Sequence, residues 1–156
     1  MLPVLFLDVD GPLIPFGAVG ARSAPATGGG NPLLSRLDPA HGTWLAALPC
    51  ELVWATTWMD DANEVVALRL GLPRLPVVDF PDEDPPGRVH WKTPGLVAFA
   101  AGRPFAWLDD EIGAADRDWV AAHHPAPALL HAVDARHGLT RADVDAVAAW
   151  LGSLSP

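Results

Sequence analysis

Leu5-Phe6-Leu7-Asp8-Val9-Asp10-Gly11 carries a short apolar run directly into two carboxylates one residue apart. Residues two apart on an extended strand share a face, so Asp8 and Asp10 stand on one side at the strand's end, and Gly11 lets the chain turn away. Two like charges there repel unless a cation or a shared proton relieves them. Mg2+ takes oxygen ligands and keeps waters and substrate phosphate in its remaining positions, so a paired carboxylate at a strand mouth is a natural seat for it. The bland alternative is a solvated turn in an acidic chain. A calcium loop fits poorly, because Gly11 follows the first Asp too closely and the bidentate Glu that closes such a loop is missing.

Downstream of this strand, taken as residues 4–8, the stretch 11–32 has no helical or strand period and reads as a loop or flap, mobile around Gly28-Gly29-Gly30. Asp38-Pro39 reads as an N-cap with proline in the first turn, opening a helix through Trp44, Leu45 and Leu48 that stops at Pro49. Residues 51–56 form a buried strand ending in hydroxyls, and Asp60 or Asp61 caps a helix that Gly71 terminates. Residues 76–80 are a short strand, 81–87 an acidic, proline-rich loop, and Thr93-Pro94 opens a helix closed by Gly102. Residues 105–110 are a strand ending in carboxylates, 116–123 a helix and 128–133 a last strand. Thr140 with Asp143 begins the terminal amphipathic helix. This alternation predicts an α/β protein with a Rossmann-like parallel sheet covered on both faces, in which ligands bind beyond the carboxyl ends of the strands. Asp8, Thr56 and Asp109-Asp110 all fall at such ends.

The chain of 156 residues suits one domain, 1–156, and half of it is hydrophobic, enough for a real core. With 10 basic against 19 acidic residues the formal charge is −9, which repels polyanions at long range. A broad nucleic-acid surface is therefore not expected, although a local basic spot for one phosphate is compatible with that charge. Cys50 is the one cysteine; it forms no intramolecular disulfide and is expected as a buried small hydrophobe rather than a nucleophile. The opening segment lacks the length and basic flank of a signal peptide, and no run reaches membrane-spanning length, so a soluble cytoplasmic protein with no membrane partner is expected.

The order of these groups is Asp-x-Asp after the first strand, Thr after the next strongly apolar one, Lys in a later loop, and Asp-Asp after another strand. In this the chain resembles the haloacid dehalogenase (HAD) superfamily, whose four motifs occur in that order, over residues 5–111. A receiver domain of two-component signalling uses similar groups, but its acidic residues precede both the Thr and the Lys. Trp54-Ala55-Thr56-Thr57-Trp58 and Leu108-Asp109-Asp110-Glu111 are similar to the small HAD domains associated with RNA-repair proteins. The usual Thr or Val after Asp-x-Asp-Gly is replaced by Pro12, a departure that bears on the flap and not on the carboxylates.

The resemblance implies a HAD-like fold and a Mg2+-dependent phosphatase of the capless type, because neither the flap at 11–32 nor the short loop at 81–91 is long enough for a cap domain. It gives Asp8 as nucleophile, forming an aspartyl-phosphate, and Asp10 as general acid and base. Thr56, with Thr57 as the alternative, contacts a phosphoryl oxygen, and Lys92, the only lysine, neutralises charge on the transferring group. Asp109 and Asp110 complete the Mg2+ site with Asp8 and the Asp10 carbonyl, Asp110 being the favoured direct ligand by resemblance. Gly11, Thr57, Trp58, His90 and Trp91 surround the phosphate or substrate, and Trp58 and Trp91 either stack on a flat leaving group or pack the core. Asp60-Asp61 read as a helix cap rather than metal ligands, and adjacent His123-His124 as structural.

The expected partner is a phosphorylated substrate: a nucleic-acid 5′- or 3′-terminal phosphate by resemblance, or a small phosphometabolite or phosphoprotein by charge. An open site also suits a small substrate covered by a second copy of the chain in a homo-oligomer. The alternative to an enzyme is a regulatory domain of HAD fold that binds metal or phosphate and turns over poorly.

Overall fold

In strand β1, Val4–Leu7, side chains divide by parity: Leu5 and Leu7 enter one core, Val4 and Phe6 the other. The same division runs through β2, Glu51–Trp54, and β3, Phe105–Asp109. This is the signature of a parallel sheet buried on both faces, where strands read as continuous apolar runs rather than as alternating polar and apolar ones. The computed structural model describes residues 2–16, 32–82, 85 and 87–154. The expected mobility around 28–30 lies outside these.

The four strands, with β4 at Ala128–Ala132, are parallel in the order β2-β1-β3-β4. Leu7 pairs with Trp54 on one side and Leu108 on the other, so the ends of three strands are level. One face is covered by α1 (Pro39–Ala46), the segment Ala62–Ala67 running into α2 (Leu68–Leu70), and α5 (Arg141–Ser153). The other is covered by α3 (Thr93–Ala100) and α4 (Ala114–His123). Connections leave β1 toward β2 on one side and return to β3 on the other, so the crevice past the end of β1 is the switch point where ligands bind in open α/β sheets. Among the described residues no cap domain stands over it, and no helix is long and apolar enough to cross a membrane.

Several local expectations shift. Asp38 does cap α1, accepting from the Ala40 N–H at 2.9 Å, but the helix ends at Ala46, where Leu48 N–H tightens onto Leu45 O before Pro49. The strands expected at 4–8 and 51–56 end at Leu7 and Trp54, leaving Asp8 and Thr56 in the turns beyond. The strand expected at 76–80 is a single bridge, Val77 against Trp54. Pro76 has no N–H for a ladder, and the neighbouring Leu75 backbone is taken by the Asn63 amide, which donates to its carbonyl at 2.8 Å and accepts from its N–H at 2.7 Å. Neither Asp60 nor Asp61 caps a helix in the expected way: Asp61 is itself in helical geometry with no side-chain cap bond, and Asp60 is drawn to Arg74 and Asn63. The first turns there are π-helical, with buried Asn63 also accepting from Trp54 Nε1–H at 2.9 Å.

Gly42 inside α1 looks like a helix weakness, worth about 1 kcal/mol against alanine. A Cβ there would stand 1.8 Å from the Leu70 carbonyl oxygen, however, so the α1–α2 contact demands glycine. Sterics should outweigh propensity: Gly42→Ala is expected to lower stability by about 1–3 kcal/mol in urea titration, and a gain would show that the two helices are not packed this closely.

Candidate active site

The turn after β1 brings Asp8 and Asp10 to one pocket. Gly11 makes that turn at φ +103, and a Cβ on it would lie 2.6 Å from Asp110 Cγ, so the close approach of the β1 and β3 turns also requires glycine. Pro12 is accommodated because the turn is closed by Leu13 and Ile14 N–H on Val9 O, bonds that do not call on residue 12 as a donor.

Lys92 enters from the N-terminal end of α3, and its ammonium lies 3.1 Å from Asp8 Oδ1 and 2.8 Å from Asp109 Oδ2, all three side chains being at least nine-tenths buried. Asp8 Oδ1 also accepts from the Val9 N–H at 2.9 Å, and Asp109 Oδ1 from the Glu111 N–H at 3.0 Å. Ligand oxygens of Asp8, Asp109 and Asp110 fall within 4.8 Å of one another. Among the described residues of this cluster, one ammonium faces three carboxylates, a net of two negative charges that matches the charge of a divalent cation. An all-oxygen donor set of this kind fits a hard cation.

Burial pushes the Asp8 carboxyl up to about 7, with the Lys92 charge opposing and the Asp109 charge adding. Burial, then the Asp109 charge, lifts Asp110 to about 6. Burial alone would lower Lys92, but Asp8 and Asp109 outweigh it and hold the ammonium above the ordinary lysine range.

His90, Trp91, Phe16, Thr57 and Glu111 also line the pocket. His90 Nδ1 accepts from the Lys92 N–H at 3.1 Å, which fixes the other tautomer, and Nε2–H donates to Glu111 Oε2 at 2.9 Å. Trp91 rests edge-on against Phe80, with the Lys92 ammonium 5.5 Å from its ring centroid. Thr56 is fully buried and its hydroxyl accepts from the Trp58 N–H at 3.2 Å, whereas Thr57 stands exposed on the wall. Trp58 is off the wall, and its indole Nε1–H donates to Asp10 Oδ2 at 3.1 Å.

Asp116, read from sequence only as part of a helix, ties the site together from behind. One percent exposed, it accepts from the His90 N–H at 2.6 Å, the Thr93 hydroxyl at 2.8 Å and the Gly113 N–H at 2.9 Å, binding the Lys92 turn to the turn after β3. A carboxylate at the third position of a helix is read as a cap, and nothing local announces its long-range partners. The other candidates fall elsewhere. His123 donates to the Trp119 carbonyl and His124 to that of Arg103, neither near an ion site. Cys50 is half-buried rather than fully buried, and burial raises its thiol to about 12, so it is a poor nucleophile.

A family model described as HAD domain in Swiss Army Knife RNA repair proteins matches residues 4–144. No curated protein and no solved structure matches the chain.

With burial raising the folded-state pKa of Asp8 from 3.8 to about 7 and that of Asp110 from 3.8 to about 6, the stability that their protonation lends the metal-free protein is fully present below 3.8 and is lost progressively from there until pH has risen through about 6 for Asp110 and about 7 for Asp8. Thermal melts without metal should show Tm falling across that window. Above it, Asp110→Asn should raise Tm by roughly 2–4 °C per kcal/mol of repulsion relieved and shrink the Mg2+-induced rise. Lys92→Met should cost about 3–5 kcal/mol by leaving buried carboxylates face to face. An undiminished Mg2+ shift in Asp110→Asn would remove that residue from the cation site.

Proposed function

The chain belongs to the family of HAD domains in Swiss Army Knife RNA repair proteins, and we propose that it is a Mg2+-dependent phosphomonoester hydrolase working through an aspartyl-phosphate on Asp8. The family carries phosphatase-type hydrolase chemistry. The observation that carries the finer reading is the placement of Asp8: buried, with Oδ1 engaged by Lys92 and Val9, on the same pocket as the Asp10 carboxyl.

With Oδ1 engaged, Oδ2 of Asp8 forms the new bond to phosphorus as the bond from phosphorus to the leaving oxygen breaks, and the Asp10 carboxyl gives that oxygen its proton. Water then gives a proton back to Asp10 and attacks phosphorus, the bond to Asp8 breaks, and inorganic phosphate leaves. The Asp8 and Asp110 carboxylates with the Asp10 carbonyl would hold Mg2+, which would supply positive charge toward the phosphoryl oxygens. Asp110 is favoured over Asp109 for that task because both Asp109 oxygens accept from the chain itself. Lys92 neutralises a further phosphoryl charge, and Thr57 takes the phosphate contact expected of Thr56, because Thr57 lines the pocket and is exposed whereas Thr56 is buried with its hydroxyl on the Trp58 N–H.

The substrate in this reading is a nucleic-acid strand's terminal phosphate, a choice supported by the family description, which names RNA repair proteins. A chain of charge −9 repels a long polyanion, but a capless pocket that takes only the last phosphate needs no basic groove. Phe16 and Trp91 on its wall offer flat surfaces for a terminal base.

Phosphate release from 4-nitrophenyl phosphate should depend on Mg2+ and fall by roughly 10³-fold or more in Asp8→Asn, with the fold retained by circular dichroism. Undiminished turnover in that variant would exclude Asp8 as nucleophile, and Mg2+ binding without turnover in the wild type would favour a regulatory domain that binds metal. Cys50→Ser should remain as active as the wild type; a folded but inactive Cys50→Ser protein would point to thiol chemistry instead.

A further inference from the structure

Trp58 has one polar side-chain atom, and the fold directs it at Asp10 across 48 positions of sequence, Nε1–H to Oδ2 at 3.1 Å. The indole is held from its own side: its ring packs against the core that contains β2 Trp54, and its backbone N–H is on the Thr56 hydroxyl. The turn is closed by Met59 N–H on Thr56 O and Asp61 N–H on Trp58 O, and it places Met59 in left-handed geometry at φ 50, an uncommon conformation for a side chain of that size. That strain is maintained by the Asn63 hub behind it, which fastens the following helix to Trp54 and Leu75. The donor therefore reaches Asp10 from a braced segment, and Trp58 is not on the pocket wall where a stacking ring would have to be.

We propose that Trp58 is the positioning residue for Asp10, holding its carboxyl so that Oδ1, not Oδ2, carries the proton delivered to the leaving oxygen. This rests on the phosphatase reading and deepens it. An indole N–H donates and never accepts, so it orients the carboxyl through both halves of the cycle without competing for the proton. In the first half, the bond from Asp8 to phosphorus forms, the bond from phosphorus to the leaving oxygen breaks, and the Asp10 proton ends on that oxygen. A carboxyl free to turn would deliver that proton less often in line with the departing atom, and the penalty grows with the basicity of the leaving group.

The test compares kcat/KM, which reports this first transfer, for phenyl phosphate and 4-nitrophenyl phosphate, nearly alike in shape but unlike in leaving-group basicity. Trp58→Phe keeps an aromatic ring and removes the donor. It should lose about 10-fold or more with phenyl phosphate and at most about 2-fold with 4-nitrophenyl phosphate, and should add nothing further in an Asp10→Asn background. Because the comparison is made within one preparation, partial loss of folded protein affects both substrates alike. Equal losses with the two substrates, or additive losses in the double variant, would overturn the positioning role while leaving the phosphatase reading intact. A wild-type protein inert toward both would overturn that reading and this one with it.

Discussion

The Lys92 ammonium, set between Asp8 and Asp109 in a region nearly closed to water, is the contact on which the remainder of the site depends. Two carboxylates brought to the ends of adjacent parallel strands would repel at short range in a poorly screened interior. A cation between them lets the strands end level, and it has to be a reliable one. The chain holds it by placing the lysine at the last position before α3 and anchoring that turn through Asp116 to His90, Thr93 and Gly113. The third carboxylate, on Asp110, then creates an excess of negative charge that the Lys92 ammonium alone does not cancel. A site suited to a divalent cation has to stay short of self-neutralisation; burial, with the Asp109 charge adding to it, raises the Asp8 and Asp110 carboxyls there.

Much of this was legible in the sequence because it is written in local patterns. Apolar runs ending in Asp8, Thr56 and Asp109-Asp110 announce strand ends, and in a parallel sheet strand ends converge whatever the loops do. Lys92 stood out because no other lysine competes for its role. The illegible parts depend on tertiary partners. Pro76-Val77-Val78 has strand composition but meets a proline without a donor and an asparagine that captures the preceding backbone. Asp60-Asp61 looks like a cap, yet the helix starts in π geometry around Asn63, and Arg74 draws Asp60 away. Sequence shows Asp116 only as part of a helix and Trp58 only as a ring that stacks or packs the core, since hydrogen bonds spanning 26 and 48 positions leave no periodic trace.

The two halves of the site come from opposite sides of β1. From the β3 side, Lys92, Asp109, Asp110 and Asp116 form a charged cluster whose members hold one another. From the β2 side, Thr56, Thr57 and Trp58 form a turn with no charged side chain, approaching Asp10 through a neutral donor. This asymmetry fits the chemistry proposed. Negative charge on a transferring phosphoryl group requires fixed positive charge nearby, whereas a carboxyl that must both give and take a proton is best oriented by a group that adds no charge and accepts no proton. An arginine at position 58 would reach a carboxylate more strongly, but it would hold Asp10 ionised and oppose the donation step. The neutral turn is therefore as much a part of the site as the charged cluster. The local rules broken to build it, in Met59 geometry and in the first turn before α2, lie where the chain has to bring that donor to β1.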